Sequence, residues 1–130
     1  MNGSKIALDT NQAIAVLNAT GDAGQWVQTF AEVYLPVPVV GELRFGALNS
    51  QRVTDNLKRV EKLVAQCKVF EVNLTTAEIY ARIRLQLKQK GKPIPENDVW
   101  IAALCIERDV PLATSDGHFL EVDGLKVVER

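Results

Sequence analysis

Four carboxylates far apart in the chain, Asp9, Glu42, Asp98 and Asp116, stand where solvation alone does not explain an acid. Asp9 directly follows the apolar run Ile6-Ala7-Leu8. Asp98 opens a helix predicted in IPENDVWIAALCIERD (94–109). Helical steps from it reach Ile101, Ala102 and Cys105, and Val99, Trp100, Ala103, Leu104 and Ile106 make the other faces apolar too, so the helix reads as buried. A charge there is costly unless something pairs with it. Glu42 shares a predicted helical face with Phe45 and Gly46, and Asp116 follows the apolar stretch 111–114. If these acids meet, they repel one another, and desolvation raises their pKa values. A divalent cation removes both problems. Oxygen ligands without cysteine or several histidines suit Mg²⁺ or Mn²⁺ rather than Zn²⁺. Mg²⁺ takes one or two carboxylates plus a phosphate, so such a cleft would await a phosphate-bearing substrate.

The elements that must position these acids alternate along the chain. Ile6-Ala7-Leu8 has the form of a strand covered on both faces. Helices are predicted over 10–17 and 25–33, followed by a strand over 34–37. Pro38 fits the opening of the helix that holds Glu42, Phe45 and Leu48. A longer helix over 52–67 precedes a strand over 69–72. Thr75 or Thr76 is read as the cap of the next helix, with Glu78 in its first turn and Ile79, Ile83 and Leu87 on one face. Gly91 and Pro93 end it. After the buried helix come a strand over 111–114, a Ser115-Asp116-Gly117 turn and a last strand over 125–128. Strands separated by helices require crossovers and a largely parallel sheet. The expectation is one three-layer α/β/α domain across residues 1–130, with the four acids at the sheet edge where open parallel sheets bind ligands.

Composition bounds the rest. With 47% hydrophobic and 24% charged residues, the 130-residue chain can bury a core, and a net charge of −1 gives no global pull towards nucleic acid. Cys67 and Cys105 lack metal-type spacing and sit in apolar patterns, which reads as reduced, buried thiols. The opening MNGSKIALDT is too short in apolar residues for a signal peptide, and no segment is long enough to span a membrane. A soluble, cytoplasmic protein is expected.

Each acid taken singly has a structural explanation. Asp9 and Asp98 could cap helices or answer the helix dipole, Glu42 could be solvated, and Asp116-Gly117 is an ordinary turn pair. The four together carry a resemblance. LDTN (8–11), GELRFGA (41–47), ENDVWIAA (96–103) and LATSDGHF (112–119) resemble, in order and spacing, the PIN-domain ribonucleases, and closely the VapC toxins of type II toxin–antitoxin pairs. That resemblance spans nearly the whole chain and implies the PIN-like α/β/α fold. It implies Asp9, Glu42, Asp98 and Asp116 as metal-binding, catalytic acids, with Asp116 at the most variable position. Thr10 or Asn11 and Thr114 or Ser115 would be supporting polar groups that orient a carboxylate or water. The implied activity is Mg²⁺-dependent endoribonuclease cleavage, with Mn²⁺ as substitute, of structured RNA, commonly tRNA, arresting translation. One metal or two is left open. Implied partners are a VapB-type antitoxin, seated in a groove among the N-terminal helices, and a second copy of the chain as a homodimer.

Other residues carry less. Arg82, Arg84, Lys88, Lys90 and Lys92 could hold an RNA backbone, but a solvated helix face explains them as well. Arg44 is the better single RNA-binding candidate, or else a partner for an acid. His118, the one histidine, is read as an exposed turn residue with a proton shuttle beside Asp116 as the alternative. Phe119 reads as a core plug, and Trp26, Phe30, Tyr34, Phe45 and Leu48 read mainly as core. Two other classes compete with the nuclease. A non-cleaving PIN-like module that grips RNA or a partner would be favoured by a missing acid, and none is missing. A phosphatase would want a D-x-D strand end, whereas Asp9 is followed by Thr10 and Asn11.

Overall fold

A computed structural model describes residues 4–130, so the first three residues of the opening read for a leader lie outside it. Strand β1 (Lys5–Leu8) runs into helix α1 (Thr10–Leu17), and a short α2 (Ala23–Val27) precedes β2 (Glu32–Pro36). Helices α3 (Val37–Leu48) and α4 (Val53–Gln66) lead to β3 (Lys68–Phe70). Then come α5 (Leu74–Lys90), α6 (Glu96–Arg108), β4 (Leu112–Thr114), a 3-10 helix (Gly117–Glu121) and β5 (Val127–Glu129).

The strands form one sheet in the order β3-β2-β1-β4-β5, every neighbouring pair parallel. β1 is central and buried at Ile6, Ala7 and Leu8, with helices on both faces of the sheet. The chain winds outward from β1 through β2 and β3 on one side, then returns to place β4 and β5 on the other. The order therefore reverses between β1 and β4, where Leu8 lies opposite Ala113. At such a switch point the two following connections diverge and leave a crevice beyond the strands' carboxyl ends.

The local signals mostly act as read. Pro36 caps α3 and Pro38 occupies its first turn, where a missing N–H is harmless. Gly91 ends α5 at φ 72°, a conformation that glycine adopts without a Cβ clash. Three readings need correction. The second helix stops at Val27, because Glu32 and Val33 extend β2 alongside Lys5 and Ile6. Neither Thr75 nor Thr76 caps α5. Asn73 does, and Thr76 is its capping-box partner, fully buried and bonded to Glu107; Glu78 consequently lies beyond the first turn. Phe45 and Leu48 are exposed on α3, which buries Val39, Leu43 and Ala47 instead. Phe119 is buried as expected. Burial pushes the half-buried Cys67 thiol up to about 11 and raises the fully buried Cys105 thiol too, and both cysteines are free. Among the described residues, no helix is long and apolar enough to cross a membrane.

Candidate active site

Asp9 leaves the carboxyl end of β1 in extended conformation and caps α1, its Oδ1 accepting from Gln12 N at 2.9 Å. Its other oxygen accepts from the Thr114 hydroxyl at 2.5 Å, across the β1–β4 switch. The same hydroxyl accepts from the backbone N–H of Asp116 at 2.9 Å. Thr114 is buried and therefore ties the first acid to the segment carrying the fourth. Asp98 sits in the first turn of α6, whose apolar body is buried from Val99 to Cys105 apart from Trp100. Asp116 caps the 3-10 helix, and that one turn brings His118 round to face the acids.

His118 is the residue that the sequence reading undervalued. Its Nε2 lies 2.7 Å from Asp98 Oδ2 and its Nδ1 lies 2.7 Å from Asp116 Oδ1. The ring is 28% exposed, so it is no free turn residue. A neutral imidazole can donate in one of these contacts and a protonated one in both. The available signal was its place two residues beyond Asp116, at a turn tight enough to fold it back.

All four acids line a single cleft of about 300 Å³ with Thr10, Asn11, Pro95, Asn97 and Phe119. Larger hollows lie between α5 and α6 (about 520 Å³) and beside β2 and α4 (about 490 Å³), but each is lined by one acid only. Volume does not mark the chemistry; the carboxylates do.

Electrostatics give the same answer. Burial raises the Asp9 carboxyl above its ordinary value, against the bonds from Thr114 and Gln12, with Asp98 and Asp116 adding repulsion. Burial also raises Asp98, opposed by His118 and reinforced by Asp116 and Glu42. Among the described residues, no lysine or arginine pairs with any of the four acids. Among the described residues, the cluster is thus a carboxylate-lined cleft whose one basic neighbour is the His118 ring. Asp98, Asp116 and His118 offer ligand atoms within 4.8 Å of one another, a spacing that could hold a metal ion. The carboxylate oxygens suit a hard divalent cation.

The remaining expectations divide. Glu42 reaches the cleft but is exposed, because the α3 face it shares with Phe45 and Gly46 is not a core face. Thr10 and Asn11 line the cleft and the Thr114 hydroxyl donates to Asp9, whereas Ser115 is exposed and makes no hydrogen bond to the acids among the described residues. Arg44 faces Glu61 at 3.9 Å rather than the cleft. Three of the five later basic residues are engaged locally. Arg84 meets the Tyr80 hydroxyl, Lys90 binds Glu121 and Asp123, and Lys92 binds Glu121.

Fold and site together define a parallel α/β/α domain with an acidic cleft at the switch point of its sheet, and comparison with known proteins gives the family. The PIN domain profile matches residues 6–125. The chain belongs to the PIN-domain family. Ribonuclease VapC5 of Mycobacterium tuberculosis is 34% identical over 95 residues, covering 72% of this chain and 70% of that protein. The VapBC2 crystal structure from Rickettsia felis, bound to a promoter DNA fragment, superposes with a TM-score of 0.91 at 21% identity, over 97% of this chain and 98% of that one. VapBC-1 from nontypeable Haemophilus influenzae superposes at 0.85 with 25% identity, over 96% and 97% of the two chains.

Proposed function

We propose that this chain is a metal-dependent endoribonuclease acting as the toxin of a type II toxin–antitoxin pair, with Mg²⁺ as the working ion and Mn²⁺ as substitute. One observation carries the reading. Four carboxylates from four separate chain segments line one cleft at the sheet's switch point, with no lysine or arginine paired to them among the described residues. The VapC ribonucleases among its relatives supply the activity class.

In this reading Asp9, Asp98 and Asp116 hold the ion, with Glu42 direct or through water. A divalent cation there supplies activation of water near neutral pH and neutralises charge on the phosphoryl oxygens. The chain's own residues do the rest. Thr114 fixes Asp9 and the Asp116 backbone relative to each other. Glu42, exposed and unbonded among the described residues, is free to accept a proton or orient water at the open side of the cleft. Phe119 closes the floor of the cleft with apolar surface.

Structured RNA, tRNA above all, is the substrate class the family resemblance points to, and translation arrest the outcome. The partner is a VapB-type antitoxin. Ile14, Phe45 and Leu48 are exposed, and Ile14, Leu17, Leu43 and Ala47 line a groove together with Glu42, which also lines the acidic cleft. An amphipathic segment laid there by helix-in-groove contacts would reach the acids. Homodimerisation and a cytoplasmic location belong to the same reading.

The test is incubation of purified, antitoxin-free protein with total bacterial RNA, with Mg²⁺, with Mn²⁺ and with EDTA, beside Asp98→Asn. Discrete fragments that need both metal and Asp98 are expected. No cleavage by a folded, metal-binding protein would overturn the nuclease in favour of a binding module.

A further inference from the structure

Resting on the metal-site reading above, we propose that His118 is a positioning residue: its imidazole lies between Asp98 Oδ2 and Asp116 Oδ1 and holds the two carboxylates in place for the cation. Three observations support it. The two contacts are equal at 2.7 Å, one from each ring nitrogen, so the ring bridges two acids that belong to different elements. Asp116 Oδ1 also accepts from the backbone N–H of His118 at 3.4 Å, which ties that oxygen to the 3-10 turn. Finally, Asp9 already has such an anchor in Thr114, whereas Asp98 is bonded through its side chain to His118 alone among the described residues.

The chemistry follows from what a ligand carboxylate needs. Two acids on separate elements repel one another and rotate apart unless something bridges them. A ring seated between them limits their torsional freedom before the ion arrives, so less ordering is left for binding. Hydrogen-bond donors behind ligating groups characteristically change metal affinity by about 10- to 100-fold when removed. The ring packs against Phe119, with centroids 4.9 Å apart, and Phe119 is buried, which fixes the direction from which the imidazole approaches. Among the described residues, neither Asp98 nor Asp116 has any other side-chain donor that could substitute.

The experiment titrates Mn²⁺ into the full chain and reads the bound ion by electron paramagnetic resonance, for the parent, His118→Ala, His118→Gln and Asp98→Asn. His118→Ala should weaken Mn²⁺ binding about 10-fold or more. His118→Gln, whose amide nitrogen carries two donors, should recover part of the loss. Circular dichroism and thermal midpoints of the metal-free variants establish folding, and the glutamine variant serves if alanine unfolds the turn. Parent and His118→Ala binding Mn²⁺ equally would overturn the positioning role and leave the metal site standing. A spin-echo signal from imidazole nitrogen coordinated directly to Mn²⁺ would overturn it by making His118 a ligand. A parent that binds no Mn²⁺ would overturn the metal site and this inference with it.

Discussion

Replacing Asp98 by asparagine should separate the two roles of the acidic cleft, since the carboxylate is a burden without metal and an asset with it. In the metal-free protein the side chain is 21% exposed, receives one bond from His118 and is repelled by Asp116 and Glu42. A hydrogen bond to a charged group contributes about 1.5–3 kcal/mol. Its pKa is nevertheless raised, so desolvation and repulsion outweigh that bond. The amide keeps the shape and an acceptor while shedding the charge, and metal-free Asp98→Asn should be at least as stable as the parent. With metal at 100 times its dissociation constant the parent gains about 2.7 kcal/mol. At roughly 3–5 °C per kcal/mol for a domain of this size, that is a rise of about 10 °C. If the variant binds about 100-fold more weakly, the same concentration yields only about 0.4 kcal/mol, a rise of about 1–2 °C. Differential scanning calorimetry in EDTA and in Mg²⁺ or Mn²⁺ measures both. A variant clearly less stable in EDTA, or one that keeps the parent's metal-dependent rise, would refute the reasoning.

Other outcomes follow from the same geometry. The folded-state pKa values of Asp9 and Asp98 are raised, so their protonation favours the native state: that contribution is full below the ordinary value of 3.8 and is lost as pH rises through the raised values. Metal stabilisation runs the other way, so the midpoint gain from Mg²⁺ should shrink as pH falls towards 4, measurable by calorimetry across pH 4–8. Thr114→Val leaves Asp9 Oδ2 and the Asp116 N–H without their shared partner, which should cost about 1–3 kcal/mol in urea unfolding and raise the Asp9 pKa further. Phe45→Ser removes an apolar ring that is 63% exposed, so stability should change by no more than about 0.5 kcal/mol. Its affinity for a cognate antitoxin should fall by about 2 kcal/mol or more if the ring anchors the groove, as calorimetric titration would show. Ile101→Ala in the fully buried wall of α6 should lose about 2–5 kcal/mol whatever the metal concentration.

Much of this arrangement was legible before any coordinates because it rests on local rules. Ile6-Ala7-Leu8 announces a central strand by being apolar without alternation. Pro38 and Gly91 punctuate helices by backbone geometry that any fold would respect. What the sequence left obscure depends on contacts between distant segments. Val33 has the apolar character of a helix face as much as of a strand, and only pairing with Ile6 decides the matter. Phe45 and Leu48 look like core by type, but α3 can bury a single stripe, and Val39, Leu43 and Ala47 take it. Thr76 looks like a cap because its hydroxyl could do the work, yet Asn73 lies one turn earlier and receives it.

The acids themselves show why helix caps and catalytic ligands are poor alternatives to one another. Asp9 does cap α1, and Asp98 does lie in the first turn of α6, so the structural explanation of each is correct. A cap, however, uses one oxygen and asks for solvent at the other. Here Asp9 is 4% exposed and spends its second oxygen on Thr114, while the second acids' repulsion reaches it across the sheet switch. No cap requires that degree of burial, nor the approach of Asp98 and Asp116. The parallel sheet brings strand ends and helix starts to one edge for topological reasons, and the caps that start those helices are then the groups nearest the crevice. Asp9 and Asp116 are such caps, and Asp98 lies in a first turn, so helix initiation accounts for where these three stand. It does not account for Glu42, nor for four carboxylates sharing one cleft with no lysine or arginine paired to them among the described residues.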